Sequence, residues 1–469
     1  MKNIYLCLFL STIFISCNQD NSIDGEKNVN NKKVYLTLSE YKSIAYDTPK
    51  ELSENDILKA AKTFSMSEKE KGETKGTTIK NITITKKEYI SENSHSPKSK
   101  SSIDSVHIPM YTVEIESENS STKDIAIISG DERTSRLLAY YSVSDSAYIN
   151  TNICDVVECT NMLVDMAKYA AFDELKVIRQ LQDSLRNQTI NKISTELNIS
   201  ENQILFEDIK DQIAIIDNNT KATIIRDEDA NSLIVSSRYG PWCDVRWDNG
   251  MPYNRLMPQS CPNNWLWDNR YPISSIVVAV AQSFCFFKPN LTIGSTNINW
   301  NYLKEKPEIY ETTDYFGQYV ADPLEKRNMV ATLMKYIGEQ CSVTYYCDGS
   351  SVNVTNVINF LSRMGIAIDG QQSLNITNLK NSILNLKPVI MYGQTNTGGG
   401  HHWIADGLIS VISYEPSGIV TTQYLHANMG YGKSYTGYFL LPSNNTMSFN
   451  TGFAHFEKNI VMYPNMRRK

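Results

Sequence analysis

The stretch that most constrains this chain is "SSIVVAVAQSFCFF" at residues 274–287. Past its leading serines it is apolar on every face, and a helix without a polar side has to run through the centre of a domain. Whatever stands at its first turn therefore sits at the head of a buried helix. There, free backbone N–H groups and the helix dipole favour developing negative charge. Pro272 closes the loop in front, which places Ser274 and Ser275 at that head. Two readings of Ser275 are open: an N-cap hydroxyl bonding a free N–H, worth about 1 kcal/mol, or the position of a nucleophile.

The chain has six histidines. His95, His107, His426 and His455 have no grouped partner in the sequence, whereas His401 and His402 lie in "GGGHHWIADG", residues 398–407. Trp403 to Gly407 reads as a buried strand ending in a turn, and a histidine at the mouth of such a strand suits a general base. In "YLHANMGYGKSYTGYFLL", residues 424–441, Asn428 ends a strand before a glycine-rich turn. An asparagine there is placed to hold an imidazole through its second nitrogen.

With 469 residues the chain is expected to form two or three domains. It is 41% hydrophobic and 20% charged with a net charge of -6, a composition neither disordered nor fibrous and without a basic face, so nucleic acid is not an expected partner. Met1-Lys2, the apolar run Ile4 to Ile15 and Ser16-Cys17 read as a lipoprotein signal peptide over 1–16, with Cys17 acylated and a tether over 17–45, polar from Asn18 to Lys33. The expectation is an outer-membrane lipoprotein, at the cell surface or in the periplasm, held to the membrane through lipid on Cys17. Once Cys7 and Cys17 are set aside, Cys154, Cys159, Cys243, Cys261, Cys285, Cys341 and Cys347 remain, an odd set in an oxidising compartment. Cys285, in the apolar helix, is expected to stay a free thiol. Cys341 and Cys347 read as a disulfide or two plain thiols; no metal site and no cofactor is expected.

Residues 46–150 read as a small α/β unit. It has a helix over Glu54 to Met66, strands at Ile82 to Thr85, Met110 to Ile115 and Ile125 to Ser129, a polar loop over Ser91 to Ser105 and a hairpin turn at Ser129-Gly130-Asp131. Residues 151–237 form a helical connector, dominated by one amphipathic helix over 155–197. From residue 238 to 466 the chain is rich in Trp, Tyr, Gly and Pro, as in "RYGPWCDVRWDNGMPYNRLMP" at 238–258.

The order helix head, histidine strand, asparagine turn resembles that of papain-like cysteine peptidases, and more particularly the streptopain family. "SSIVVAVAQ" at 274–282 resembles the family's run that follows Gly-Cys-Val. Gly400-His401-His402-Trp403 with Asp406-Gly407 resembles its histidine motif, and Asn428-Met429-Gly430-Tyr431-Gly432 its Asn-Trp-Gly-Trp-Gly. "WDNGMPYN" at 247–254 resembles the stretch that opens these domains. The resemblance implies an α+β fold: a papain-like peptidase domain, pairing a helical side with a twisted antiparallel sheet, preceded by the small α/β unit and the helical connector. Residues 46–150 resemble the streptopain-inhibitor domain that serves many relatives as a propeptide, which implies a partner within the chain that covers the cleft. It also implies His401 as base, Asn428 as its orienter, Ser275 at the nucleophile position and Asn269 in place of an oxyanion-hole glutamine. Trp403 and Tyr431 are the cleft residues of the same motifs. Cys261 resembles a Cys-Pro of some relatives and is expected in a disulfide.

Three positions depart from the family's pattern: Ser275 replaces the nucleophilic cysteine, Ser274 the glycine before it, and Met429 the first tryptophan of the asparagine motif. A thiol ionises near pH 8.5, whereas a hydroxyl must lose its proton during attack, so a cleft shaped for a thiolate and an imidazolium serves serine poorly. Cys285 lies ten residues further along the same helix, about 15 Å away, and cannot stand in. By resemblance the activity is cleavage of extracellular proteins; with Ser275, turnover is expected to be weak or absent. A surface protein that binds peptides or a peptidase in an intact cleft is one alternative, a serine hydrolase on the same scaffold another. A structural lipoprotein would leave His401 and Asn428 without a reason.

Overall fold

The computed structural model describes residues 33–71, 78–91, 107–118, 120, 122–144, 153–216, 230–262, 268–313, 318–395, 398–415, 418–443 and 460–469. The signal peptide, Cys17, most of the tether, nearly all of the Ser91 to Ser105 loop with His95, and His455 fall outside these residues. Among the described residues no helix is long and apolar enough to cross a membrane.

One antiparallel sheet of eleven strands organises the molecule. In chain order its strands are β1 (Ile79–Ser91), β2 (His107–Ser117), β3 (Thr122–Ser129), β4 (Leu137–Ser144), β5 (Leu233–Tyr239), β6 (Gln372–Ser373), β7 (Val389–Gln394), β8 (Gly400–Glu415), β9 (Gly418–Asn428), β10 (Gly437–Leu440) and β11 (Ile460–Tyr463). They lie in the order β6-β11-β7-β8-β9-β10-β4-β3-β2-β1, with β5 paired to β8 beside this path. The sheet thus runs from the C-terminal half into the N-terminal unit through the β10–β4 pair, where Tyr438 faces Tyr140. Gly437 makes that junction possible: a Cβ there would lie 2.1 Å from the Tyr140 carbonyl oxygen, so only glycine lets the two backbones close.

The helices follow from their sequence patterns. α1 (Leu38–Ile44) starts at a reciprocal capping box between Thr37 and Glu40, α2 is Glu54–Lys71 and α3 is Ile153–Leu197. The helix headed by the serines, α4 (Ser275–Phe287), buries eleven side chains, in keeping with its all-round apolar surface. It packs among Trp247, Trp300, Leu333 and Phe360 in the core on the helical side. A second core joins the N-terminal unit to the sheet, with Phe64, Tyr140, Leu163, Trp403 and Tyr424.

Several expectations change. Residues 34–44, read as tether, are folded: Val34–Thr37 pairs in parallel with Ile213–Ile216, and Leu36, Tyr41, Ile44 and Ile193 share a small core. The alternation Val34-Leu36 is too short to stand out in a sequence, and its partner strand is distant. The end of the connector belongs to the sheet, since β5 pairs with β8 along Leu233 to Tyr239. On its other side, Thr63 and Ser67 of α2 accept the Leu233 and Val235 amides, both at 2.9 Å, and so cover a strand edge. The strand holding Trp403 does not turn at Gly407 but runs on to Glu415, with a bulge between Ala405 and Gly407. Cys347 pairs with Cys261, not Cys341. Cys285 and Cys341 are buried free thiols. Glu174 of α3 holds the Ser135 amide and hydroxyl, both at 2.6 Å, and burial pushes its carboxyl up to about 7.

Candidate active site

The head of α4 and the start of β8 meet at a cavity of about 640 Å³ lined by Asn249, Ser274, Ser275, His401, His402 and Tyr431 among others. Ser274, not Ser275, is the N-cap, and its side chain makes no capping bond. Its hydroxyl instead accepts one from Ser350 at 2.7 Å. Ser275 is the first helical residue, and its Oγ accepts the His402 backbone N–H at 3.1 Å. That amide belongs to the peptide that follows His401, so hydroxyl and imidazole are held at one place by a direct link between α4 and β8.

His401 is buried, and its Nε2 lies 2.6 Å from the Met429 carbonyl oxygen. A carbonyl only accepts, so Nε2 carries the proton and Nδ1 is the basic nitrogen. Burial lowers the ring's pKa to about 4, against a smaller upward effect of that carbonyl. Burial, then the His401 ring beside it, brings His402 to about 3. Both rings are uncharged at neutral pH. The His402 ring packs on Tyr392 at 4.6 Å between centroids.

Asn428 was expected to hold the His401 ring, and the structure gives that partnership to the next residue's main chain. The Asn428 amide donates to the Val245 carbonyl at 2.8 Å. Its Oδ1 accepts from Gln282 of α4 at 3.3 Å and from Gly430 N–H at 3.2 Å. Gln282 also reaches the Trp247 carbonyl at 3.3 Å. Asn428 therefore ties α4, the 245–247 segment and the Met429 turn together, and so sets the carbonyl that holds His401. Met429 itself is fully buried, so a smaller apolar side chain fills the tryptophan position from within.

Asn269 stands on an exposed turn at φ +55 and is not among the cavity residues. Its carbonyl accepts from Cys261 N–H at 2.9 Å. Asn249, two residues past Trp247, does line the cavity, and its Nδ2 donates to the Tyr431 hydroxyl at 3.1 Å. Burial pushes the neighbouring Asp248 carboxyl up to about 6, against the pull of the Gly250 and Asn249 amides. The signal for Asn249 was present in "WDNGMPYN", which sets it one turn before Pro252-Tyr253-Asn254. Trp403 is fully buried in the core behind the histidine strand, not in the cleft. Tyr431 does line the cavity, its ring 5.8 Å from that of His401. Among the described residues of 46–150 none lines it.

His426, without a grouped partner in the sequence, has one in space: its Nδ1 lies 2.6 Å from Asp406 Oδ1, and Asp406 Oδ2 accepts the Cys243 amide at 2.8 Å. Neither residue lines the cavity. Among the described residues no group of three or more His, Cys, Asp and Glu side chains could hold a metal ion.

A hydroxyl at a helix head and a buried imidazole share one cavity in a fold of mixed α and β structure organised by a large antiparallel sheet. A model of the Peptidase C10 family, the streptopain family, matches residues 247–439. That span contains Asn249, Ser275, His401, Asn428 and Tyr431, and the match supports a cysteine-peptidase-type function for it. No curated protein matches the chain.

Proposed function

We propose that the chain is an exported lipoprotein of the streptopain type, anchored through Cys17, whose papain-like cleft binds protein or peptide chains and hydrolyses them weakly or not at all. The observation that carries this reading is the link from Ser275 Oγ to the His402 amide, beside a His401 ring already tied by Nε2. Base and nucleophile position lie on one cavity, with serine at 275 where the resemblance calls for cysteine. Burial makes the His401 ring a weak base, and an alcohol proton is far harder for it to remove than a thiol proton. Asn428 acts here as a positioning residue, and Asn249 takes the oxyanion side that Asn269 was expected to fill. Residues 46–150 resemble an inhibitor domain but carry sheet pairs to the peptidase half, and we assign them a permanent structural role beside any inhibitory one.

The test compares the natural chain with Ser275→Cys on a general protein substrate. The cysteine form is expected to cleave at least about 100-fold faster, and His401→Ala is expected to remove that gain. Cleavage by the natural chain that Ser275→Ala abolishes would establish a serine hydrolase instead. Failure of both forms to cleave would leave the cleft a binding site only.

A further inference from the structure

The segment before the matched span reaches into the same cavity. Asp155, in the first turn of α3, is one of its lining residues, and its carboxylate accepts the Gly400 N–H and the Thr395 hydroxyl. One turn along the same helix, Cys159 is fully buried. Its Sγ accepts the His401 backbone N–H and donates to the Gly393 carbonyl at 3.5 Å. Residues at i and i+4 share a helix face, so one face of α3 holds two successive amides of β8, the second being that of His401 itself.

The hairpin has made room for this contact. A Cβ on Gly399 would lie 2.8 Å from each Asp155 carboxylate oxygen, and a Cβ on Gly393 2.8 Å from Cys159 Sγ. Both are closer than side-chain carbons come to other atoms, so a Cβ at either glycine would displace the α3 side chain facing it. The three atoms nearest to that Gly399 Cβ all belong to the Asp155 carboxyl group.

We propose that Asp155 and Cys159 are positioning residues: α3 clamps the turn that presents His401, and the chain before the peptidase span is a working part of the site. The clamp is a matter of hairpin order and stands apart from the proposed function; only its effect on catalysis rests on that reading.

Hydrogen exchange on the full chain tests it. Asp155→Ala is expected to speed exchange of the Gly400, His401 and His402 amides about tenfold or more, with the centre of the sheet unchanged. Asp155→Asn keeps an acceptor oxygen and is expected to stay within about threefold of the natural chain. Gly399→Ala should loosen the hairpin as Asp155→Ala does, and adding it to Asp155→Ala should cost nothing further, because the clash partner is gone. In the Ser275→Cys background, Asp155→Ala should move the acid limb of the pH profile for alkylation of the new thiol, and Asp155→Asn should restore it. Unchanged exchange in Asp155→Ala, or added damage from Gly399→Ala on top of it, would overturn the clamp. A Ser275→Cys chain that cleaves nothing would count against the peptidase reading, and the exchange data would still decide this one.

Discussion

His401 and His426 stand on neighbouring strands of one sheet, equally buried at 4% exposure, yet they are held by different chemistry. His401 gives its Nε2 proton to a main-chain carbonyl and faces the cavity, while His426 binds the Asp406 carboxylate and lies away from it. A serine nucleophile is best served by an imidazole backed by a carboxylate, which stabilises the imidazolium formed during attack. This molecule owns such a pair and keeps it away from Ser275. The base beside Ser275 has only a carbonyl behind it, the support that suffices when a thiol supplies the proton. The contrast sets a cavity histidine backed by a main-chain carbonyl apart from a carboxylate-backed one outside the cavity.

The strongest way to break the comparison is to remove the carboxylate. Asp406→Ala leaves the His426 nitrogen and the Cys243 amide buried without their acceptor and is expected to destabilise the chain by about 3 to 5 kcal/mol in urea unfolding. Asp406→Asn, which keeps one acceptor, should lose less. A result under about 1 kcal/mol for Asp406→Ala would make the pair incidental.

The next effect concerns acid. The folded-state pKa of His401, about 4, lies below its ordinary 6.5, so the unfolded chain takes up the proton first. The stability His401 contributes is whole above pH 6.5 and is lost as pH falls towards 4, by about 3 kcal/mol. Glu174 and Asp248, with raised carboxyl pKa values, act in the opposite direction. The quantity to measure is therefore the stability difference between the natural chain and His401→Gln, at pH 7 and at pH 4. A difference that does not change with pH would mean the ring is already protonated or reaches solvent.

The smallest effect sharpens the role of the Met429 carbonyl. Its residue's N–H donates to Thr436 Oγ at 3.3 Å, and Thr436→Val should cost about 1 kcal/mol of stability. In the Ser275→Cys form it should lower kcat more than it changes KM. Equal changes in both would place the effect on binding.

Much of this was legible in the sequence. The all-round apolar run marked α4 as a central helix, the spacing of apolar residues gave α3 nearly to its ends, and the serine and histidine segments do meet at one cavity. What the sequence hid has a common cause. Strand pairing between distant segments, such as Leu137–Ser144 with Gly437–Leu440, leaves no local periodicity, and the same holds for the Cys261–Cys347 choice. Main-chain partners carry no residue identity at all, so Asn428 was read as the histidine's holder when Met429's carbonyl is. Asn269 was matched by resemblance to a glutamine a few residues before the nucleophile position, and nearness along the chain says little about distance in the fold.

The junction between β4 and β10 has a consequence for how the chain must be assembled. β4 is made well before β10, and until β10 arrives the edge of β4 stays open, a template for any passing strand. Pairings between such distant segments form slowly, and waiting edges invite aggregation. A chain truncated before residue 437 should therefore give insoluble material, not a free N-terminal fragment, and a chaperone that shields strand edges would have its work on the stretch 137–144.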